Sequence, residues 1–173
     1  RFKLGNNDLV MDIGSNVGEL LINFANEKIK VCGVDPAKNI AKKAVKRGVP
    51  TITEFFDKKI ENILISKKKF PKIITGTNVF AHIHDVEGSL KVIKNILKPD
   101  GVLIIEAPYL KNLIAGLEYD TIYHEHLMYL SINPMMKLFK KFEFEIFDIQ
   151  FKNIHGGSIR VFVKHKNGPF KIS

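Results

Sequence analysis

Cysteine is all but absent from this chain of 173 residues, where Cys32 stands alone. A disulfide framework and a zinc site of clustered cysteines are both excluded. A lone thiol accords with a reducing compartment, so a cytoplasmic protein is the expectation. No uncharged apolar run approaches the ~20 residues a membrane-spanning helix needs. The opening residues lack the basic, apolar, small-residue order of a secretory leader, and no membrane partner is expected. Arginine is scarce too: Arg1, Arg47 and Arg160 are the only three, although 27 basic against 18 acidic residues leave a net charge of +9. Such a charge points to an anionic partner, whether nucleic acid, a membrane surface or a phosphorylated small molecule. Base readout and bidentate phosphate clamps favour arginine. A lysine excess reads instead as a solvated coat, with Lys67-Lys68-Lys69 in a loop and Arg160 the cation that most invites a role. The chain also opens at Arg1 without a methionine, with a buried-looking strand close behind. It is expected to be a piece of a longer protein.

What is present suits a globular domain, with 45% hydrophobic and 26% charged residues, which excludes a disordered or collagenous chain. Strand-like and helix-like segments alternate, the mark of βαβ units around a parallel sheet. Strands are expected at 9–14, 30–35, 51–55, 72–78 and 102–107. Helices are expected at 18–26, 37–47, 58–65 and 85–97. A Lys98-Pro99-Asp100-Gly101 turn precedes the fifth strand. Residues 117–131 are polar and aromatic without a period. A short helix at 134–142 then leads to strands 144–151 and 158–165, an antiparallel pair at a sheet edge. The fold class is α/β, a mostly parallel doubly wound sheet. Residues 1–116 form its ligand-binding core, and 117–173 supply a loop and edge strands that complete the same domain.

The first strand runs into Asp12-Ile13-Gly14-Ser15-Asn16-Val17-Gly18. Glycines at a strand-to-helix turn let backbone approach a ligand, and the helix start offers free N–H groups. A dinucleotide fingerprint would read G-x-G-x-x-G; here it is Gly14-x-x-x-Gly18, and Asp12 would repel a pyrophosphate but welcome a cationic or zwitterionic ligand. Asp35 ends the second strand, where an acid accepts hydrogen bonds from ribose hydroxyls. This ordered set resembles the motifs of class I S-adenosylmethionine (SAM)-dependent methyltransferases. The resemblance implies a Rossmann-like fold, SAM as cofactor and S-adenosylhomocysteine as product. The implied cofactor contacts are Asp12, Gly14, Ser15, Gly18 and Asp35, with Phe56 (or Phe55) against the adenine and Asn78 at the end of strand four.

The acceptor is read first by exclusion. Methylation of exocyclic amines goes with an N-P-P-Y-like motif after strand four, where this chain has Thr77-Asn78-Val79-Phe80. Cytosine C5 methylation needs a cysteine there, and Cys32 lies in strand two. Nucleic acid is thus a poor acceptor for this chain. Residues 119–131 read YDTIYHEHLMYLS. A histidine beside a glutamate and tyrosines, beyond strand five, suits a general base with orienting partners. A metal held by His124, Glu125 and His126 ranks second, because consecutive side chains do not readily converge, and none is expected.

Tyr123-His124-Glu125-His126, His155-Gly156-Gly157-Ser158-Ile159-Arg160, Asn78 to Ile83 and Glu106-Ala107-Pro108 together resemble the sugar C-methyltransferase family across nearly the whole chain. The resemblance implies methylation of the carbon beside the ketone of a nucleotide-linked 4-keto-deoxysugar. It makes His126 the base, assigns Tyr123 and Glu125 to orient it or hold the sugar, and lets His82 assist the enolate. His155, Gly156 and Gly157 form a turn that either meets an anion with its N–H groups or simply joins two strands. Arg160 would pair with diphosphate or sugar. The family also implies flanking parts, a zinc-binding N-terminal domain and a C-terminal domain that helps hold the nucleotide. Two other classes stand beside this reading. One is a SAM-dependent O- or N-methyltransferase of another small molecule; the other is a non-catalytic SAM-fold module binding nucleic acid.

Overall fold

A computed structural model describes residues 2–173, so Arg1 lies outside the described residues. The chain builds one seven-stranded sheet in the order β3-β2-β1-β4-β5-β7-β6. The strands are β1 (Leu9–Ile13), β2 (Lys30–Val34), β3 (Thr51–Ile52), β4 (Ile73–Thr77), β5 (Val102–Pro108), β6 (Phe144–Lys152) and β7 (Ser158–His165). The helices are α1 (Glu19–Asn26), α2 (Lys38–Lys46), α3 (Lys58–Ser66), α4 (Val86–Ile96), α5 (Leu110–Ala115) and α6 (Ile132–Lys141). β1 is buried along its whole length because β2 and β4 pair with it in parallel on either side. Strands enclosed in this way tolerate only near-continuous apolar sequence, which is why Leu9-Val10-Met11 and Val102 to Ile105 carry almost no polar side chains.

The connections are written locally. Asp57 caps α3 by accepting the Lys59 N–H at 2.8 Å, and Asp85 caps α4 by accepting the Gly88 N–H at 2.7 Å. α2 stops in paired bonds from Gly48 N–H to the Val45 carbonyl and from Val49 N–H to the Ala44 carbonyl, a Schellman closure. Val49 is thereby drawn into the core. Two apolar layers cover the sheet. The larger joins Leu64, Leu90, Ile93 and Phe139 to the strand side chains; the other joins Leu21, Ala44 and Val49 to Val10 and Ile73.

The architecture agrees with the α/β expectation, with two local differences. β3 has two residues rather than five, because β2 ends at Val34, opposite Ile52, and leaves residues 53–55 nothing to pair with. α5 was hidden in the sequence: six residues with only Leu113 buried leave no periodic stripe to detect. The antiparallel pair stands at the sheet edge as expected, with β7 paired to β5 and β6 outermost.

Because α4 begins at the C-terminal edge of the sheet, its cap also anchors the residues before it. Asp85→Ala should cost about 1 kcal/mol, read as a drop of roughly 2–4 °C in melting temperature for a domain of this size. An unchanged melting curve would show that the cap does not hold α4.

Candidate active site

Two loops meet at the C-terminal ends of β1 and β4. The Gly14–Gly18 loop is pinned to β2: Gly14 and Ser15 N–H groups both donate to the Val34 carbonyl, at 2.9 and 3.1 Å. Asp35 closes it from the other side. Its Oδ2 accepts the Asn16 N–H and its Oδ1 the Ala37 N–H, each at 2.9 Å. Gly14 has φ 67°, and a Cβ there would lie 2.9 Å from Val79 Cγ2. The β4 exit loop therefore crosses directly over its bare Cα. Gly18, at φ 78°, is constrained by Val49 instead, a core contact.

Three buried polar groups line this junction. Asp12 is 5% exposed, and the Thr75 hydroxyl donates to its Oδ1 at 2.6 Å. Burial pushes its carboxyl up to about 6, opposed by the Thr75 hydrogen bond and aided by the neighbouring negative charge of Asp35. Asn78 holds a left-handed φ of 53°, with its N–H on the Glu106 carbonyl at 2.8 Å. Its Oδ1 is buried without a partner, and so is Ser15 Oγ. The Ser15 hydroxyl faces Gly33 of β2, so it points into the sheet rather than across the junction. An orphaned acceptor invites a donor from a ligand, and two buried acids favour a cationic one. These residues fit a zwitterionic, ribose-bearing cofactor.

A cleft of about 1040 Å³ opens from Gly14 past Phe55, Phe56 and Val79 to His82 and Ser89. Phe56 is partly buried against the core, whereas Phe55 is exposed. His82 closes a 3₁₀ turn, Phe80–His82, and its ring lies 5.0 Å from that of His126.

His126 is held at both nitrogens. Nδ1 lies 2.9 Å from the Thr121 carbonyl and Nε2 lies 3.0 Å from the Tyr123 hydroxyl. A carbonyl can only accept, so the neutral ring carries its proton on Nδ1 and offers Nε2 as acceptor. Tyr123 also packs on the ring at 4.2 Å between centroids, and Tyr129 meets it edge-on at 6.2 Å. The segment is fastened by the Leu127 N–H on the Ala81 carbonyl and by a Tyr109–Leu130 bridge.

The other expected residues fall differently. Glu125 faces exposed His124 at 3.9 Å, while the His126 ring is hydrogen-bonded to the Tyr123 hydroxyl and the Thr121 carbonyl. Among the described residues, no three His, Cys, Asp or Glu side chains converge to hold a metal ion. Arg160 lies opposite Glu106 in the β5–β7 register and is engaged by it, with Nε and Nη2 each 2.6 Å from Oε2. His155, Gly156 and Gly157 all have positive φ, but the space over the two glycines is filled. A Cβ on Gly156 would lie 1.8 Å from Glu118 Oε2, and one on Gly157 2.1 Å from Asn112 Nδ2. Thr75, Asn112, Glu118 and Thr121 escaped sequence reading. No motif marks them, and Thr121 acts through backbone that any residue possesses.

A family model described as a methyltransferase domain matches residues 2–149. The C-methyltransferase NovU of Streptomyces niveus is 37% identical over 162 residues, which are 94% of this chain and 39% of that protein. The chain thus spans 39% of the length of that curated relative. Among solved structures, a complex between the Haloferax volcanii Trm112 methyltransferase activator and a methyltransferase matches at TM-score 0.76 and 13% identity, over 98% of this chain and 86% of that one. Magnesium protoporphyrin IX methyltransferase of Synechocystis PCC 6803 with bound S-adenosylhomocysteine matches at TM-score 0.67 and 15% identity, over 90% and 73%. At these identities the solved structures share the fold.

The Asp12 environment has a measurable consequence. An unfolded aspartate titrates near 3.8 and the folded one near 6, so the native state binds the proton more tightly. The stability this contributes is complete below pH 3.8 and lost as pH rises through 6, about 3 kcal/mol in all. Asp12→Asn should abolish that slope and leave the protein at least as stable as wild type at pH 7. Denaturant titrations from pH 4 to 7 read the slope directly, and an unchanged slope in the variant would refute the assignment.

Proposed function

The chain belongs to the methyltransferase-domain family, and on that footing we propose that it methylates the carbon beside the ketone of a nucleotide-linked 4-keto-deoxysugar. SAM, when bound, supplies an electrophilic methyl group on a sulfonium. Gly14 would let the loop backbone approach the cofactor, Asp35 would accept from its ribose hydroxyls, Asn78 Oδ1 would accept from its ammonium group, and Phe56 would pack against its adenine. The two buried acids, Asp12 and Asp35, favour a cationic ligand over a pyrophosphate.

The observation that carries the reading is the setting of His126, whose Nδ1 faces the Thr121 carbonyl and whose Nε2 is left to accept from the Tyr123 hydroxyl, beside a second histidine. A C–H beside a ketone is a weak acid, and its removal needs a positioned base with a pKa near the working pH. The Tyr123 hydroxyl proton passes to His126 Nε2 as the phenolic oxygen takes the carbon's proton. The net result is an imidazolium whose Nδ1–H is already bonded to Thr121. His82, which lines the cleft, donates to the enolate oxygen so that charge is met where it develops. With SAM bound, the enolate carbon would accept its methyl group, a C–C bond forming as the C–S bond breaks and S-adenosylhomocysteine leaves. The NovU relative, described as a C-methyltransferase, supports carbon as the acceptor atom. In this proposal flanking domains, zinc-binding before and nucleotide-holding after the chain, grip the rest of the substrate.

Deprotonation can be followed without methyl transfer. In the full-length protein, with S-adenosylhomocysteine bound and D₂O as solvent, deuterium should enter the carbon beside the ketone. His126→Ala should slow both exchange and methylation about 100-fold or more, with cofactor affinity within twofold of wild type. Near-wild-type turnover by this variant would sink the base assignment, and a product methylated on oxygen or nitrogen would sink carbon transfer. Asn78→Ala should weaken SAM binding by about tenfold, the worth of one good hydrogen bond to a charged group. Calorimetry showing full affinity would remove Asn78 from the cofactor's contacts.

A further inference from the structure

We propose that Gly156 and Glu118 are positioning residues for His126, and that the double glycine serves to seat a side chain. The inference rests on the reading of His126 as the base. The connection is continuous. Gly156 has no Cβ, and the Glu118 carboxylate lies where one would be, 1.8 and 1.9 Å from that point. Asn112 fills the corresponding space over Gly157. The hairpin turn is tied to the start of α5 by the Tyr109 N–H on the Gly157 carbonyl at 3.0 Å. Glu118 in turn anchors the next residues. Its carbonyl accepts the Thr121 hydroxyl at 2.9 Å and the Thr121 N–H at 3.4 Å. The Thr121 carbonyl then takes His126 Nδ1–H at 2.9 Å, which selects the tautomer with a free Nε2. A Cβ at Gly156 would displace the Glu118 carboxylate, the flexible end of that side chain; without its seat the 118–121 turn loses a restraint, and the Thr121 carbonyl is held less firmly against the ring.

This reading differs from a plain hairpin turn, which needs left-handed residues but no seat for Glu118. It differs also from a turn that grips an external anion, because a carboxylate of the chain already covers Gly156.

The test is a double-mutant cycle of Gly156→Ala and Glu118→Ala, read by the ¹⁵N shifts of His126 in the substrate-free chain and by the pH profile of kcat. Wild type should show Nδ1 protonated and Nε2 bare. Gly156→Ala should mix the tautomers, lower the pKa seen in kcat and cut kcat at least tenfold, while KM stays within twofold. Glu118→Ala should loosen the tautomer preference to a smaller degree. The double variant should behave like Glu118→Ala alone, because the damage from alanine at 156 runs through the Glu118 side chain. Undiminished damage from Gly156→Ala in the Glu118→Ala background would overturn the proposal, as would wild-type tautomer and rate in Gly156→Ala. If Gly156→Ala fails to fold, an unchanged tautomer in Glu118→Ala overturns it equally. The nitrogen shifts need no substrate, so they decide this linkage even if the acceptor proves to be another molecule.

Discussion

The site depends on one close crossing. Val79 rests on the bare Cα of Gly14, and this contact fixes how far the β1 and β4 exit loops stand apart. Val79 is no isolated wedge. The residue before it is tied to β5 through the Glu106 carbonyl, and the His82 N–H donates to its own carbonyl at 3.0 Å. Phe80, next in the chain, is buried. A side chain at Gly14 would therefore move the whole unit of Asn78, Val79 and the Phe80–His82 turn. The cofactor side of the cleft and the His82 side are set by the same contact, so neither half of the site can be adjusted alone.

A second constraint holds the opposite wall. β7 lies antiparallel between β5 and β6, with Glu106 facing Arg160 across the ladder. Glu106 is nearly inaccessible, and its pairing with Arg160 satisfies a buried charge. Losing one partner of such a pair costs roughly 3–5 kcal/mol. The pair sits where β5 ends, at the point from which α5 and the His126 segment depart. Arg160, the cation that most invited a role, is thus held in the ladder at the end of β5, from which the His126 segment departs. Position in a register, rather than rarity in composition, decides what a cation does.

This contrast explains what was legible beforehand. Patterns that act through local sequence were readable: the buried apolar strands, the glycine turn after β1 and Asp35 at the end of β2. The pairing of Tyr123 with His126 is also local, three residues apart along the chain. Contacts made across the fold left no trace. Glu118 and Gly156 are far apart in sequence, as are Glu106 and Arg160, and nothing in either segment names its partner. Glu125 lies next to His126 in sequence, yet the ring's partners are Tyr123 and the Thr121 carbonyl, because neighbouring side chains on an irregular loop diverge. Thr121 was invisible because its role belongs to its backbone.

The charge distribution adds a last step. The chain carries +9, yet Asp12 has no ion-pair partner among the described residues, and Asp35 is answered only by two backbone N–H groups. Many lysines are drawn into ion pairs away from the β1 loop, such as Lys98 with Asp8 and Lys94 with Glu143. Burying acids without cations is costly, as the raised Asp12 pKa records. That cost is recovered only when a ligand brings positive charge to the junction. A pyrophosphate would add to the repulsion, while a zwitterion bearing an ammonium and a sulfonium would relieve it. With no cation paired to Asp12 among the described residues and only neutral donors on both acids, the strand ends favour a positively charged ligand over a pyrophosphate in an otherwise basic protein.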